Sequence, residues 1–418
     1  MAVVKPFQAW RYDTQKVGSL AKVVVPPYDV ISPVELKNMK QMSSWNFSHV
    51  ILAEGENKHQ KASENVKQWM EQGALIQDQK PSLYFYKQEF KLDRYELFCQ
   101  DIPPASMKNG TLSRTGIFCR VGLEDYENKV ILPHEKTFAG PKADRYQLME
   151  SAQGNMEPVF LGYDSPRFSG DEFEKIVAGK EPLYSFTDNM GVEHKLWNIT
   201  DVEIIKDVEK TLGNQKFYIL DGHHRYETAL KFFKDHQGEK ESQKYVLANI
   251  CSFKQPGTVI LPTHRLVKGL KNFSKDSFLS TFEQDFEITP VATLGDIETQ
   301  LKLSPTTAFG VMLSDGGYHL MRLKRTSDLL KSGKLDLELL HENILELMGS
   351  PKEEDIAYVK SISEFEDRLK KSEFQVGFLV RPTTCDDVMA VAHKFGKMPH
   401  KSTFFYPKIP SGLIINKF

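Results

Sequence analysis

Cysteine is scarce in this chain: Cys99, Cys119, Cys251 and Cys385 are the only four in 418 residues, and none forms a C-x-x-C pair. That spacing offers neither a disulfide framework nor a structural zinc site. Sparse, unpaired thiols suit a reducing cytoplasm, which is the expected location. A charge excess of either sign is also missing. Lys+Arg is 54 and Asp+Glu is 56, so the formal net charge is −2. A generic polyanion binder carries a strong basic surplus, and no helix-turn-helix pattern is present, so nucleic acid is not expected as a partner. A local phosphate site stays open. No window approaches the run of about 18 apolar residues that a membrane span needs, so no membrane is expected. The opening Met1-Ala-Val-Val-Lys-Pro-Phe lacks the basic-then-apolar order of a secretory leader. No internal repeat or low-complexity tract stands out.

Enough is present for a large folded core. Hydrophobic residues make up 40% of the chain, and at roughly 150 residues per domain the length predicts two or three domains. The expected division is residues 1–114, 115–267 and 268–418. In the first region, Ser32-Pro33 reads as a helix start, Lys61–Gln72 as an amphipathic helix and Ser82–Leu92 as a strand, with Arg94–Asp101 as its hairpin partner. In the second, strands are expected at Ile117–Val121, Val130–Leu132, Pro158–Tyr163, Lys216–Leu220 and Tyr245–Phe253. Helices are expected at Asp144–Ala152, Asp201–Leu212 and His223–Asp235. In the third, Ala308–Leu313 and Tyr318–Leu323 flank Ser314-Asp-Gly-Gly, a hairpin signal. Helices follow at Leu335–Met348, Ser363–Lys371 and Asp386–Phe395, and the proline-rich tail reads as a loop. Strands and helices mixed in this way predict an α+β fold.

The strongest chemical signal is Phe217-Tyr-Ile-Leu-Asp-Gly-His-His-Arg-Tyr-Glu. It reads as an apolar strand, a glycine turn and a helix with Tyr226, Leu230 and Phe233 on one face. Asp221 stands where a helix cap stands. Gly222 permits a tight turn and the close approach of a ligand. The free N–H groups of a first helical turn favour an anion. His223, His224 and Arg225 add side-chain donors there, and a guanidinium grips phosphate oxygens in pairs. Adjacent histidines lack chelating spacing, so no metal ligand set is assigned.

A second signal is Ile131-Leu-Pro-His-Glu-Lys-Thr, followed by Gly140-Pro-Lys-Ala-Asp-Arg. Pro133 stops a strand and leaves Glu135 at its end, where a carboxylate can serve as general base towards a hydroxyl. Lys136, Lys142 and Arg145 are candidates to neutralise phosphate. A third is the proline-bounded run from Lys397 to Lys408, in which Lys401, Ser402 and Thr403 could cover a nucleotide. Pro26-Pro-Tyr-Asp-Val and Leu261-Pro-Thr-His-Arg read as strand-end turns and supply the substrate candidates Tyr28, Asp29, His264 and Arg265.

Together, Pro26-Pro-Tyr-Asp-Val-Ile-Ser, Leu132-Pro-His-Glu-Lys-Thr, Leu220-Asp-Gly-His-His-Arg-Tyr-Glu and Met398-Pro-His-Lys-Ser-Thr resemble the domain-of-unknown-function family numbered 1015. The chain is also similar to the ParB/sulfiredoxin fold, and to the free-serine kinases built on it. That resemblance implies a ParB/sulfiredoxin-like core at 115–267 with added N-terminal and C-terminal α+β regions. It implies a catalytic glutamate at Glu135, phosphate binding and transfer at Asp221 to Arg225, and a late loop at Pro399 to Thr403. The stretch between Glu135 and Asp221 is longer here than in those kinases, and the late loop carries an extra His400.

The resulting expectation is a phosphotransferase that moves a phosphoryl group from ATP or ADP, with Mg²⁺, to a small hydroxylated metabolite such as free L-serine. Glu135 takes the hydroxyl proton, Asp221 positions that hydroxyl or the Mg²⁺, and His223, His224 and Arg225 hold the phosphates. The alternatives are a nucleotide-binding switch or nucleotidase and, third, a metal-dependent hydrolase. A small-molecule substrate is the expected partner, with room for a homo-oligomer.

Overall fold

The structure, a computed structural model, describes residues 1–92, 107–236, 239–314 and 317–418. The expected Arg94–Asp101 strand, Cys99 and the Asp315-Gly316 turn lie outside these residues. The chain forms two compact units. The first takes Met1–Lys91, Pro103–Thr258 and Pro407–Phe418, and the second is built on Val259–Tyr406.

Among the described residues, the first unit holds a nine-stranded mixed sheet. Its strands are β1 (Val4–Lys5), β2 (Leu83–Phe90), β3 (Leu112–Gly122), β4 (Ile131–Leu132), β5 (Val159–Tyr163), β6 (Tyr184–Thr187), β7 (Glu193–Ile199), β8 (Phe217–Asp221) and β9 (Tyr245–Ser252). They run in the order β4-β8-β5-β9-β3-β2-β7-β6, with β1 on β3. Most neighbours are antiparallel, but β4 pairs parallel with β8, and β5 with β9. The α+β expectation holds.

The expected boundaries at 114 and 267 do not fall between the units. β2 and β3 pair from Tyr84↔Phe118 to Phe90↔Leu112 across the first of them. A ladder of that length cannot be parted without stranding backbone donors and acceptors. The short segment after Thr258 belongs with the second unit, because His264–Val267 is a strand of its sheet.

β8 explains how the site is held. Phe217, Tyr218, Ile219 and Leu220 are all buried, as befits an inner strand covered on both faces. Its register shifts between Ile219 and Asp221, which re-aims the last residue. The helix α1 (Ala139–Ala152) follows β4, and α2 (His223–Asp235) follows β8. Tyr226, Ala229 and Phe232 form the stripe of α2 that packs on the sheet, with Leu230 only partly buried beside them. Burying Tyr226 and Phe232 stabilises the docked helix by roughly 1.5–3 kcal/mol each. The Tyr226 hydroxyl also donates to the Glu124 carbonyl at 2.8 Å and accepts from the Glu124 N–H at 3.0 Å.

The second unit has a six-stranded sheet of β10 (His264–Val267), β11 (Phe286–Val291), β12 (Ala308–Leu313), β13 (Tyr318–Leu323), β14 (Ile356–Val359) and β15 (Val376–Leu379). Its order is β11-β13-β12-β15-β10-β14, antiparallel throughout. β12 and β13 form the expected hairpin pair. Leu261-Pro-Thr-His-Arg is not a strand-end turn alone, because its last two residues open β10 and are fully buried. The tail is not one loop either. Phe404–Tyr406 pairs with Val259–Leu261, and Asn416–Lys417 pairs with Gly154–Asn155. Its aromatics carry enough apolar surface to enter sheets despite the prolines.

Candidate functional site

The parallel pairing of β4 with β8 matches Ile131 to Phe217 and Leu132 to Tyr218. Both strands therefore end on the same side, where open α/β sheets place ligands. Beyond β4 the chain passes Pro133 and presents His134 and Glu135. Beyond β8 it turns at Gly222 into α2. The Glu135 carboxylate lies between two buried imidazoles, 3.7 Å from His134 Nε2 and 3.7 Å from His223 Nδ1. Its own side chain is 27% exposed.

The tautomer of His223 follows from its bonds. Nε2 accepts the His134 N–H at 3.3 Å, so the ring proton sits on Nδ1, facing Glu135. In the same way His224 Nε2 accepts the Phe138 N–H at 2.9 Å, which puts its proton on Nδ1. α2 begins without a side-chain cap: Gly222 is the N-cap residue, in the left-handed region at φ 89°. α2 thus starts beside Glu135 with no side-chain cap, at the positive end of its dipole.

Asp221 does not cap the helix. Its Oδ2 accepts from Arg225 Nη2 and its Oδ1 from Lys408 Nζ. Two cations bind a carboxylate more strongly than an N–H does, and they draw it away from the cap position. Burial alone pushes the Asp221 carboxyl up, but Lys408 and Arg225 outweigh it and hold it well below the usual carboxylate range. Arg225 is not an open fork for phosphate: Nη1 donates to the Pro158 carbonyl, Nη2 goes to Asp221, and the side chain is buried.

Around Arg225 the interior is charged. Glu157 accepts from Arg145 Nη1 at 3.0 Å, from the Tyr28 N–H at 3.2 Å and from the Ser411 hydroxyl at 3.1 Å. The Arg145 guanidinium lies 4.2 Å from the centre of the Tyr28 ring. Burial, then Asp29 and Glu157, push the Tyr28 phenol well up, so it stays protonated. Lys142 is bonded to Glu227 at 3.0 Å, and Arg145 to Glu157 and Asp144. These two cations are spent on the protein's own carboxylates, whereas Lys136 is exposed.

Tyr28, Asp29, Glu135, Lys136, Lys142, Arg145 and Asp221 to Arg225 thus belong to the first unit. Lys401, Ser402, Thr403, His264 and Arg265 belong to the second. There Arg265 Nη2 donates to the carbonyls of His400 and Lys401, both at 3.2 Å, and fixes the late loop through its backbone. Ser402 donates to the Pro399 carbonyl at 2.7 Å. Sequence reasoning passed over Glu157 and Lys408. Glu157 has no local signature. Lys408 closes the Lys397–Lys408 run but acts on Asp221, far away in sequence.

The set does not fit a Mg²⁺ held by Asp221. Its two oxygens already carry an ammonium and a guanidinium, and among the described residues no group of three or more His, Cys, Asp or Glu side chains could hold a metal ion.

The glycine is a stringent test of this geometry. A Cβ on Gly222 would lie 2.8 Å from Arg225 Nε, and the φ is one that L residues rarely adopt. Gly222→Ala is expected to cost about 1–3 kcal/mol from the backbone alone, and to push Arg225 off Asp221. Thermal unfolding of the variant checks it; an unchanged midpoint would contradict the described turn.

A mixed sheet, two parallel strands that end side by side and a helix that starts without a side-chain cap beside buried charge define an α+β protein. The chain belongs to the protein family of unknown function DUF1015, whose model matches residues 4–100 and 102–342. Among solved structures it is similar to a conserved hypothetical protein from Pyrococcus furiosus, at 13% identity over 72% of this chain and 94% of that one, with a TM-score of 0.36. It is similar to a free serine kinase in complex with AMP, at 12% identity over 77% and 96%, with a TM-score of 0.36. It is also similar to SbnI with a C-terminal truncation from Staphylococcus aureus, at 10% identity over 70% and 85%, with a TM-score of 0.37. No curated protein matches it. Among the described residues no helix is long and apolar enough to cross a membrane.

Proposed function

We propose that this protein transfers a phosphoryl group from a nucleotide, ATP or ADP, to the hydroxyl of a small metabolite, with free L-serine as the first acceptor to test. The observation that carries the reading is the placement of the Glu135 carboxylate 3.7 Å from His223 Nδ1, at the uncapped start of α2.

The nucleotide phosphates lie against the first-turn N–H groups of α2, with His224 Nδ1–H and Lys136 as further donors. Glu135 accepts the proton of the substrate hydroxyl. The hydroxyl oxygen forms a bond to the terminal phosphorus while the bridging P–O bond breaks, and the nucleotide leaves with that electron pair. The reaction asks the protein mainly for positioning and charge neutralisation. His223 keeps its Nδ1–H towards Glu135 and so orients the carboxylate. Arg225 is a part of the floor and acts through Asp221, not on the phosphate.

The test is purified protein with ATP, ADP or pyrophosphate against L-serine and a panel of hydroxylated metabolites, followed by phosphorus NMR. A new phosphomonoester resonance that needs both donor and acceptor is expected. Release of inorganic phosphate without any acceptor product would make the protein a nucleotidase and overturn the reading.

A further inference from the structure

Lys408 has no part in the transfer step just described, yet the fold spends buried polar groups on placing it. It lies in Pro407–Phe418, the segment that joins the first unit. Its ammonium bonds Asp221, and each of the two side chains is only 13% exposed. Its backbone is gripped from the sheet. Gln88 Nε2 donates to the Lys408 carbonyl at 3.1 Å, and Arg114 Nη2 donates to the Pro407 carbonyl and to Gln88 Oε1. Gln88 and Arg114 face each other across β2 and β3. Both are buried, and Arg114 stands 4.7 Å from the centre of the Phe160 ring.

Burying an amide and a guanidinium is costly unless their bonds are satisfied. A tail that merely packed would need neither. The clamp fixes two successive carbonyls, and so fixes the Cα from which the lysine side chain reaches Asp221. With Arg225 on the other oxygen, the group of three carries one net positive charge at the floor of the crevice. Such a floor attracts an anion and repels a further cation.

We propose that Lys408 is the resident cation of this crevice, a positioning residue that occupies on Asp221 the place a divalent metal would take, delivered there by the Arg114–Gln88 clamp. The consequence for phosphate binding rests on the reading above; the occupation of Asp221 does not. The charged and titratable groups facing Asp221 are Lys408 from the tail and Arg225 and His223 from α2. Burial acts to raise the Asp221 carboxyl, and Lys408 is the largest influence against it. Loss of Lys408 therefore moves the protonation of Asp221 upward in pH.

Two measurements on the full chain decide it. Electron paramagnetic resonance of Mn²⁺ without nucleotide is expected to show the same free-ion signal with wild type and with Asp221→Asn. Mn²⁺ bound by wild type and lost in Asp221→Asn would overturn the proposal. In calorimetry, Lys408→Met is expected to weaken ADP binding by about tenfold or more, the scale of a charged hydrogen bond. As the solution is acidified, its affinity should recover relative to wild type, because Asp221, without Lys408, takes up a proton at a higher pH and loses its uncompensated negative charge. Lys408→Arg should restore both, and Lys408→Met with Asp221→Asn should bind no more weakly than Lys408→Met. Wild-type affinity and pH profile in Lys408→Met would overturn the proposal. If Lys408→Met does not fold, the Mn²⁺ experiment and Lys408→Arg still decide. If wild type binds no nucleotide, the phosphoryl-transfer reading fails, and the Mn²⁺ experiment judges Lys408 alone.

Discussion

Replacing Glu135 with glutamine is expected to leave the fold and nucleotide binding intact and to lower turnover by about 10²–10⁴, the usual worth of a positioned general base. The substitution is nearly isosteric. It keeps an acceptor oxygen opposite the His223 Nδ1–H but removes the negative charge and the capacity to take a proton. Glu135 is the right group to ask. It is partly open to solvent while the imidazoles on either side are buried, so it is the member of that trio that a substrate can reach. Asp221, the other carboxylate of the crevice, carries two cations and is held ionised by them; it is a poor proton acceptor. Their environments therefore divide the work, one carboxylate for proton transfer and one for charge structure. Steady-state rates with the nucleotide affinity measured alongside check the prediction. Full turnover in Glu135→Gln would remove Glu135 from the mechanism. A loss of nucleotide binding equal to the loss of rate would make it a binding residue.

Much of this site is legible in the sequence because it is local. A buried apolar strand, a glycine and an amphipathic helix are each written within a few residues, so Phe217 to Asp235 could be placed without a structure. Pro133 likewise announces the end of β4 and brings Glu135 to a strand end. What could not be read is long-range pairing. No local pattern says that β4 lies beside β8, or that β2 pairs with β3 across an expected boundary. The assignment of Asp221 as a cap failed for the same reason. At short range the carboxylate has only N–H groups to bind, whereas the fold brings it Lys408 from the tail and turns Arg225 back onto it. Lys142 and Arg145 read as phosphate-neutralising cations because their carboxylate partners, Glu227 and Glu157, come from elsewhere in the chain or carry no signature of their own.

His264 and Arg265 show the opposite difficulty. Charged or titratable residues after a proline read as a surface turn, yet both are fully buried in β10. Their burial has a measurable consequence, because the imidazoles around Arg265 work as acceptors. His264 Nδ1 accepts the Val380 N–H at 3.2 Å, and His341 Nε2 accepts from Arg265 Nε at 3.3 Å. Burial, and then the Arg265 charge, push both imidazoles down to about 3. Unfolded histidines titrate at about 6.5, so between the two values the unfolded chain binds the extra protons. The stabilisation is therefore complete above pH 6.5 and is lost as pH falls towards 3. At pH 5, one and a half units below the unfolded value, each histidine is expected to withdraw about 2 kcal/mol, or about 4 kcal/mol together. All four tryptophans, Trp10, Trp45, Trp69 and Trp197, lie in the first unit, so tryptophan fluorescence has no reporter within the second. Hydrogen exchange at pH 7.5 and pH 5, corrected for intrinsic rates, reads it from peptides covering His264–Val267 and Val376–Leu379. Their protection should fall at pH 5, and His341→Gln, which keeps an acceptor that does not titrate, should remove about half of the difference. Equal opening free energies at the two pH values would show that these imidazoles are protonated in the folded protein, and that Arg265 is not bonded as described.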